Sequence, residues 1–264
     1  MEKREGKDRP YVVMQMSASI DGRIELGPRL TMYHRHPQSQ LLLDGFASGK
    51  MVDTAVEAMW HPEAGMMGSG TVYREGDPLR DLPRYAGDPQ AFHEDYLPDD
   101  VVQKTKNWAI LVDGRGRCRS GYKATENPGR HILHLVSHAA PAEYLAFLRR
   151  ERIPYLFGGK DHADLADALR KLHAKLGIRS LRLIGGGTLN GAMLRAGLID
   201  EIHLILWPLL IGGDATPTLA DCSDLGSDEW PAKLQLIAAK PQDDGSLWLH
   251  YKVVHANSTS QCES

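Results

Sequence analysis

The sequence predicts an α/β fold with a largely parallel sheet and an antiparallel hairpin at its C-terminal end. Three observations carry that expectation. Short apolar runs alternate with helix-like segments through the second half of the chain, as in a parallel sheet with crossover helices. Leu165, Leu169, Leu172 and Leu176 recur at spacings of four, three and four, which is one face of a helix, and Gly177 follows as its stop. Leu234 to Ala238 and Leu247 to Val254 flank Asp244-Gly245, a hairpin signal.

The elements follow in chain order. Tyr11 to Met16 is an apolar run suited to a buried strand, and Asp21-Gly22 is a turn. Residues 25–50 hold no period. Lys50 to Trp60 reads as a helix with Met51, Ala55, Ala58 and Met59 on one face. Ala64 to Met67 is a short strand entering Gly68-Ser69-Gly70-Thr71. Residues 74–107, rich in Asp, Pro, Arg and Gly, read as a long surface loop with one helical turn, a length often tied to function. Trp108 to Val112 and Ile132 to Val136 are strands, and Pro141 to Arg152 is an amphipathic helix with Leu145 and Leu148 inward. Pro154 to Phe157 is a strand, and Asp161 is the expected N-cap of the leucine-striped helix. Leu181 to Ile184 is a strand; Thr188 is expected to cap a short helix that Gly197 ends. Glu201 to Ile211 is a long strand stopped by Gly212-Gly213. No linker or repeat interrupts the chain. A single domain is expected over 10–255, with 1–9 and 256–264 as flexible tails.

Composition narrows the function. The 264 residues, 42% hydrophobic, suffice for a large core. With 31 Lys+Arg against 34 Asp+Glu, the chain lacks the basic excess of a nucleic-acid binder, so no nucleic-acid partner is expected. Cys118, Cys222 and Cys262 are odd in number and far apart, which fits a reducing cytoplasm better than a disulfide framework or a cysteine zinc site. The charged start MEKREGKDRP has no apolar h-region, so no signal peptide is expected there, and no run of about 18 apolar residues predicts a membrane span. His131, His134 and His138 lie three and four apart on or near a strand, which does not bring them to one ion; no metal is expected.

Four motifs remain. Gly185-Gly186-Gly187-Thr188 joins a strand to a helix, where close backbone approach and free N–H groups favour a phosphate; the alternative is a tight turn. Gly68-Ser69-Gly70-Thr71 has the same choice. Asp113-Gly114-Arg115-Gly116-Arg117 ends a strand, where ligands of open α/β sheets gather, and arginine suits a phosphate, including that of NADP; the alternative is a solvated basic loop. Gln15 and Ser17 share one face of a strand, and Gln offers a paired donor and acceptor to a heterocycle edge; the alternative is a core strand followed by an ordinary Asp-Gly turn. Residues 45–51 resemble a P-loop but are one residue short, and no G-x-G-x-x-G, zinc-deaminase or G-x-S-x-G signature is present.

Taken in order, SASIDGR, GSGTV, ILVDGRGR and LRLIGGGTLNGAMLRAGLIDEIHL with PLLIGG resemble the C-terminal reductase domain of RibD over about residues 10 to 254. The resemblance implies a dihydrofolate-reductase-like fold, a homodimer, and NADPH-dependent reduction of a phosphoribosylamino-pyrimidine to its ribityl form in riboflavin biosynthesis. It implies cofactor contacts from Ser69, Gly70 and Thr71, from Asp113, Gly114 and Arg115 at the adenosine-phosphate end, and from Gly185, Gly186, Gly187, Thr188 and Leu189 at the pyrophosphate. Gln15 and Ser17 would face nicotinamide and substrate, with Asp21 and Arg23 shaping that pocket. Asp21 or a pocket water is the candidate proton donor. Arg80 or Arg84 would hold a substrate phosphate. Ile184 stands where the family commonly carries a substrate-contacting Glu, which moves weight toward a dihydropterin or an unrelated carbonyl or imine. A stand-alone cytoplasmic reductase is expected; a non-catalytic nucleotide-binding homologue is the alternative from another class.

Overall fold

The computed structural model describes residues 8–27, 30–31, 48–73 and 78–255. The expected tails at 1–7 and 256–264, and most of the stretch 25–50, lie outside the described residues. The chain forms two compact units, one from Met1–Tyr11 and Pro62–Arg182, the other from Val12–His61 and Leu183–Ser264. The units interleave in sequence, so a linker of the kind sought between consecutive domains would not be visible. No helix among the described residues is long and apolar enough to cross a membrane.

In the first unit, β4 (Ala64–Gly68), β5 (Asn107–Val112), β6 (Arg130–Val136) and β7 (Tyr155–Phe157) run parallel, and β8 (Ser180–Leu183) lies beside β4. Every residue of β6 after Arg130 is buried, the mark of a parallel strand covered on both faces. The helix α3 (Ala142–Arg150) buries Tyr144, Leu145, Phe147 and Leu148, and Arg149 and Arg150 complement its C-terminal dipole. It ends short of Arg152, which adopts φ +56°. The leucine stripe forms α4 (Leu165–Leu176), with Gly177 left-handed at its end. Its N-cap is Asp164 rather than Asp161: the Asp164 carboxylate accepts the Asp167 N–H at 2.9 Å.

The expected long loop is more structured than its composition suggests. It carries a 3-10 turn at Pro89–Phe92, capped by Asp88, and a short helix α2 (Asp99–Val102). Tyr96 and Tyr155 exchange backbone hydrogen bonds of 2.8 and 2.9 Å. Asp95 accepts from the Phe157 N–H at 2.7 Å and pairs with Lys175 at 2.7 Å and Lys171 at 3.3 Å. Long-range partners therefore order a segment that local propensity leaves as coil.

In the second unit the strand order is β10 (Lys233–Pro241), β11 (Leu247–Val254), β9 (Glu201–Trp207), β1 (Tyr11–Ser19). β1 and β9 are parallel with Gln15 opposite His203, while β11 is antiparallel to both its neighbours. Pro208 ends β9 four residues before the expected Ile211, since it lacks the N–H a ladder needs. Short strands β2 (Glu25–Gly27) and β3 (Leu30–Thr31) form a separate pair.

The helix α1 spans Ser48–Trp60. Its first N–H, from Ser48, is held by the Asp244 carboxylate at 2.9 Å, and Ser246 Oγ donates to Ser48 Oγ at 2.8 Å. The expected inward face is wrong: Val52 and Val56 are buried, while Met51 and Met59 are exposed. The i, i+4 valine pair, not the methionines, makes the packing stripe.

Candidate functional site

In the first unit, loops at the C-terminal ends of the parallel strands bring two predicted motifs together. After β4, Ser69–Thr71 forms a 3-10 turn whose first carbonyl, that of Ser69, accepts the Val72 and Tyr73 N–H groups. After β5, Asp113 is buried and turned inward. Its Oδ1 accepts the Arg117 N–H at 3.0 Å; its Oδ2 accepts the Cys118 N–H at 2.7 Å and the Tyr144 hydroxyl at 2.9 Å. Asp113 is thus occupied in folding its own loop, contrary to the expectation that it contacts a ligand. The Gly114 carbonyl accepts from Ser137 Oγ at 2.7 Å. Gly116 is left-handed, and a Cβ there would lie 2.7 Å from the Tyr144 ring, so only glycine fits.

The loop presents arginines. Arg115 is exposed. Arg117, which the sequence reading left out of the site, donates from Nη2 to Ser69 Oγ at 2.8 Å and so links the two motifs. Arg119 donates to the Gly116 and Arg80 carbonyls. Among the described residues no carboxylate pairs with these three guanidiniums. Arg117 Nε and Thr71 Oγ1 are buried without a hydrogen-bond partner. Buried polar atoms are costly unless paired, so these loops fit an anionic group such as a nucleotide phosphate. The exposed Arg80 guanidinium lies over the Phe147 ring, 5.8 Å from the centroid.

In the second unit, Ile184 is half-buried and leads into the glycine run. The helix α5 spans Gly187–Arg195, and its N-cap is Gly186, at φ +44°, with no side chain capping it. Thr188 therefore sits inside the helix, exposed, and is not its cap. The uncapped first turn leaves N–H groups for an anion. Packing also demands glycine here: a Cβ on Gly187 would lie 2.1 Å from Asp221 Oδ2 and 2.5 Å from the Thr218 carbonyl. The run is thus explained in part without a ligand. Leu189 is core, so only its backbone is available to a ligand. Asn190 donates to the Leu219 carbonyl at 2.9 Å, leaving its buried Oδ1 without a partner.

Gln15 is buried, and its amide donates to Asp53 of α1, a residue the sequence reading missed. Ser17 is half-buried on the same face of β1. Asp21 is a loop anchor. Its carboxylate accepts the Ser19 hydroxyl at 2.5 Å, the Gly212 N–H at 2.7 Å and the Ile211 N–H at 3.1 Å. These donors, Ser19 first, hold its pKa down to about 2. A carboxyl already ionised at neutral pH is a poor proton donor, which corrects the role expected of Asp21. Arg23 donates to the Thr216 carbonyl at 2.9 Å, while its Nε is buried without a hydrogen-bond partner.

Glu201, His203 and His250 also cluster in this unit, with ligand-type atoms within 4.8 Å of one another. His250 Nε2 meets Glu201 Oε2 at 2.6 Å, and its ring stacks on His203 at 4.0 Å and 20°. Trp60 and Trp248 aim their indole N–H groups at the two nitrogens of His203, at 3.3 and 3.2 Å. Near-parallel rings do not converge on one ion, and the single accepting nitrogen of a neutral His203 already faces an indole N–H. The arrangement is a packed network in which burial, then His250, lowers the His203 pKa to about 3.

The profile of the RibD C-terminal domain matches residues 10–247. The chain is 29% identical over 213 residues to the 2,5-diamino-6-ribosylamino-4(3H)-pyrimidinone 5′-phosphate reductase of Archaeoglobus fulgidus, covering 81% of this chain and 87% of that one. It is 34% identical over 214 residues to the reductase of the same name from Aquifex aeolicus, covering 80% and 83%. A pyrimidine reductase-like protein from Corynebacterium diphtheriae has the same fold, with a TM-score of 0.64 at 16% identity and 93% and 92% coverage. The match runs over nearly the whole chain: the protein belongs to the RibD C-terminal domain family.

Proposed function

We propose that this protein is a cytoplasmic, NADPH-dependent reductase acting on a ribosylamino-pyrimidine phosphate of riboflavin biosynthesis. The observation that carries the phosphorylated cofactor is the loop of Arg115, Arg117 and Arg119, which has no acidic partner among the described residues and holds a buried, unpaired Arg117 Nε. A buried guanidinium N–H without a partner is costly, and a phosphate placed beside the loop would pair it.

When bound, NADPH supplies the hydride. The chain's own residues do the rest by placement and electrostatics. Ser69, Gly70 and Thr71, with Arg115 and Arg117, would hold one phosphate-bearing end. In the second unit, taken by itself, the N–H groups of Gly186 to Leu189, at the uncapped start of α5, would hold a phosphate. Gln15, fixed by Asp53, would present its amide to a heterocycle edge, with Ser17, Arg23 and Ile184 completing the substrate contacts. The proton comes from water, since Asp21 is ionised. Ile184 favours a second reading, in which the reduced compound is a dihydropterin or another carbonyl or imine, because an apolar side chain accepts no hydrogen bond from a sugar hydroxyl.

The protein is proposed to act as a homodimer. Eight of the nine residues of β10 are exposed and the ninth, Ala238, is only half-buried; Leu236 is 53% and Trp230 88% exposed beside a groove of about 740 Å³ that includes Ile202, Leu234 and Val253. A long apolar edge of this kind is a liability in a monomer. The function is tested by following oxidation of NADPH with the diaminopyrimidinone phosphate, with dihydrofolate as the competing substrate. Turnover of the pyrimidine alone supports the reading; turnover of dihydrofolate alone replaces it with the second.

A further inference from the structure

We infer that Tyr144, backed by His134, is a positioning residue that sets the affinity for the phosphorylated end of the cofactor; the inference rests on the function proposed above. The Tyr144 hydroxyl has one hydrogen, and it goes to Asp113 Oδ2 at 2.9 Å. The 2.6 Å contact between His134 Nδ1 and the same hydroxyl must then be an N–H donated by the imidazole. His134, Tyr144 and Asp113 form one directed chain, all three buried. At its end, Asp113 holds the backbone N–H groups of Arg117 and Cys118, while the Tyr144 ring covers Gly116. The loop is clamped on both sides; Arg117 reaches out of it to Ser69, while Arg119 folds back onto the Gly116 carbonyl. Tyr144 and His134 are both buried, and their hydrogen bonds run to each other and to Asp113, so their effect on a ligand passes through loop geometry.

The test is Tyr144→Phe, which keeps the ring over Gly116 and removes the hydroxyl. Dissociation constants for NADPH, NADH and 2′,5′-ADP are read by tryptophan fluorescence, and hydrogen exchange is followed over residues 113–119. NADPH and 2′,5′-ADP are expected to weaken about five- to tenfold and NADH less than about twofold, with faster exchange in the loop. The control Arg117→Lys is expected to weaken the same two ligands without faster exchange. Equal loss of NADPH and NADH, or no loss, overturns the inference, the first because it marks a merely structural residue. A wild-type protein that binds 2′,5′-ADP while Tyr144→Phe is unchanged overturns the inference alone. A wild-type protein that neither prefers NADPH over NADH nor binds 2′,5′-ADP overturns the proposed cofactor with it.

Discussion

Replacing Asp95 should destabilise the first unit by an amount the structure lets one estimate. The side chain is 9% exposed and accepts the Phe157 N–H at 2.7 Å, at the end of β7. Asp95→Ala strands that N–H, which costs about 1–3 kcal/mol. The pairs with Lys175, half-exposed, and Lys171 add about 1 kcal/mol together, since exposed ion pairs are weak. Lys171 keeps the Phe157 carbonyl at 2.6 Å and Asp167 at 3.2 Å, so it is not left isolated. The sum is about 2–4 kcal/mol for Ala. Asp95→Asn retains the acceptor and loses only the charge, about 1 kcal/mol. Burial pushes the Asp95 pKa up, but Lys175, the Phe157 N–H and Lys171 together pull it below its ordinary value. A depressed carboxyl pKa stabilises the fold above the unfolded value and loses that contribution as pH falls through the folded one. The gap between wild type and Asp95→Asn should therefore persist at pH 7 and close below about pH 4. Urea midpoints across that range are the assay. A change under about 0.5 kcal/mol for Asp95→Ala would show that Asp95 does not anchor the loop to β7, as such small values mark uncoupled surface sites.

Three further outcomes are expected. Asp21→Asn should lower kcat less than about tenfold and leave its pH profile unshifted, because a lost general acid costs about 100-fold or more; a shifted profile would restore Asp21 as the donor. Gly187→Ala forces a methyl against Asp221 and Thr218 and should cost about 1–3 kcal/mol in urea denaturation; unchanged stability would show the Asp221 contact to be loose. Leu236→Glu places a charge on the exposed face of β10 and should shift sedimentation from dimer to monomer; a dimer that persists would put the interface elsewhere.

Elements whose signals are local were legible in the sequence. The hairpin at Asp244-Gly245 and the leucine stripe of α4 depend on neighbours a few residues apart, and both formed. The face of α1 was misread because Met51 and Met59 look as apolar as Val52 and Val56, and only the packing partner separates them. Asp161 lost the cap to Asp164, three residues on, a shift well within the usual uncertainty of helix ends. At the site, the glycine clusters were visible but their causes were not. Asp113 meets Tyr144 thirty-one positions away, so no local pattern could turn it inward. Arg117 was visible in the same motif as Arg115; what singles it out is Ser69, forty-eight positions away.

The Asp113–Arg119 loop is proposed to bind the phosphorylated end of NADPH. The most direct measurement is a tryptophan fluorescence titration of the protein with NADPH and NADH, with 2′,5′-ADP as competitor. NADPH is expected to bind at least about tenfold more tightly than NADH, and 2′,5′-ADP to displace it. Equal affinity for the two nucleotides, or no binding at about millimolar concentration, would contradict it.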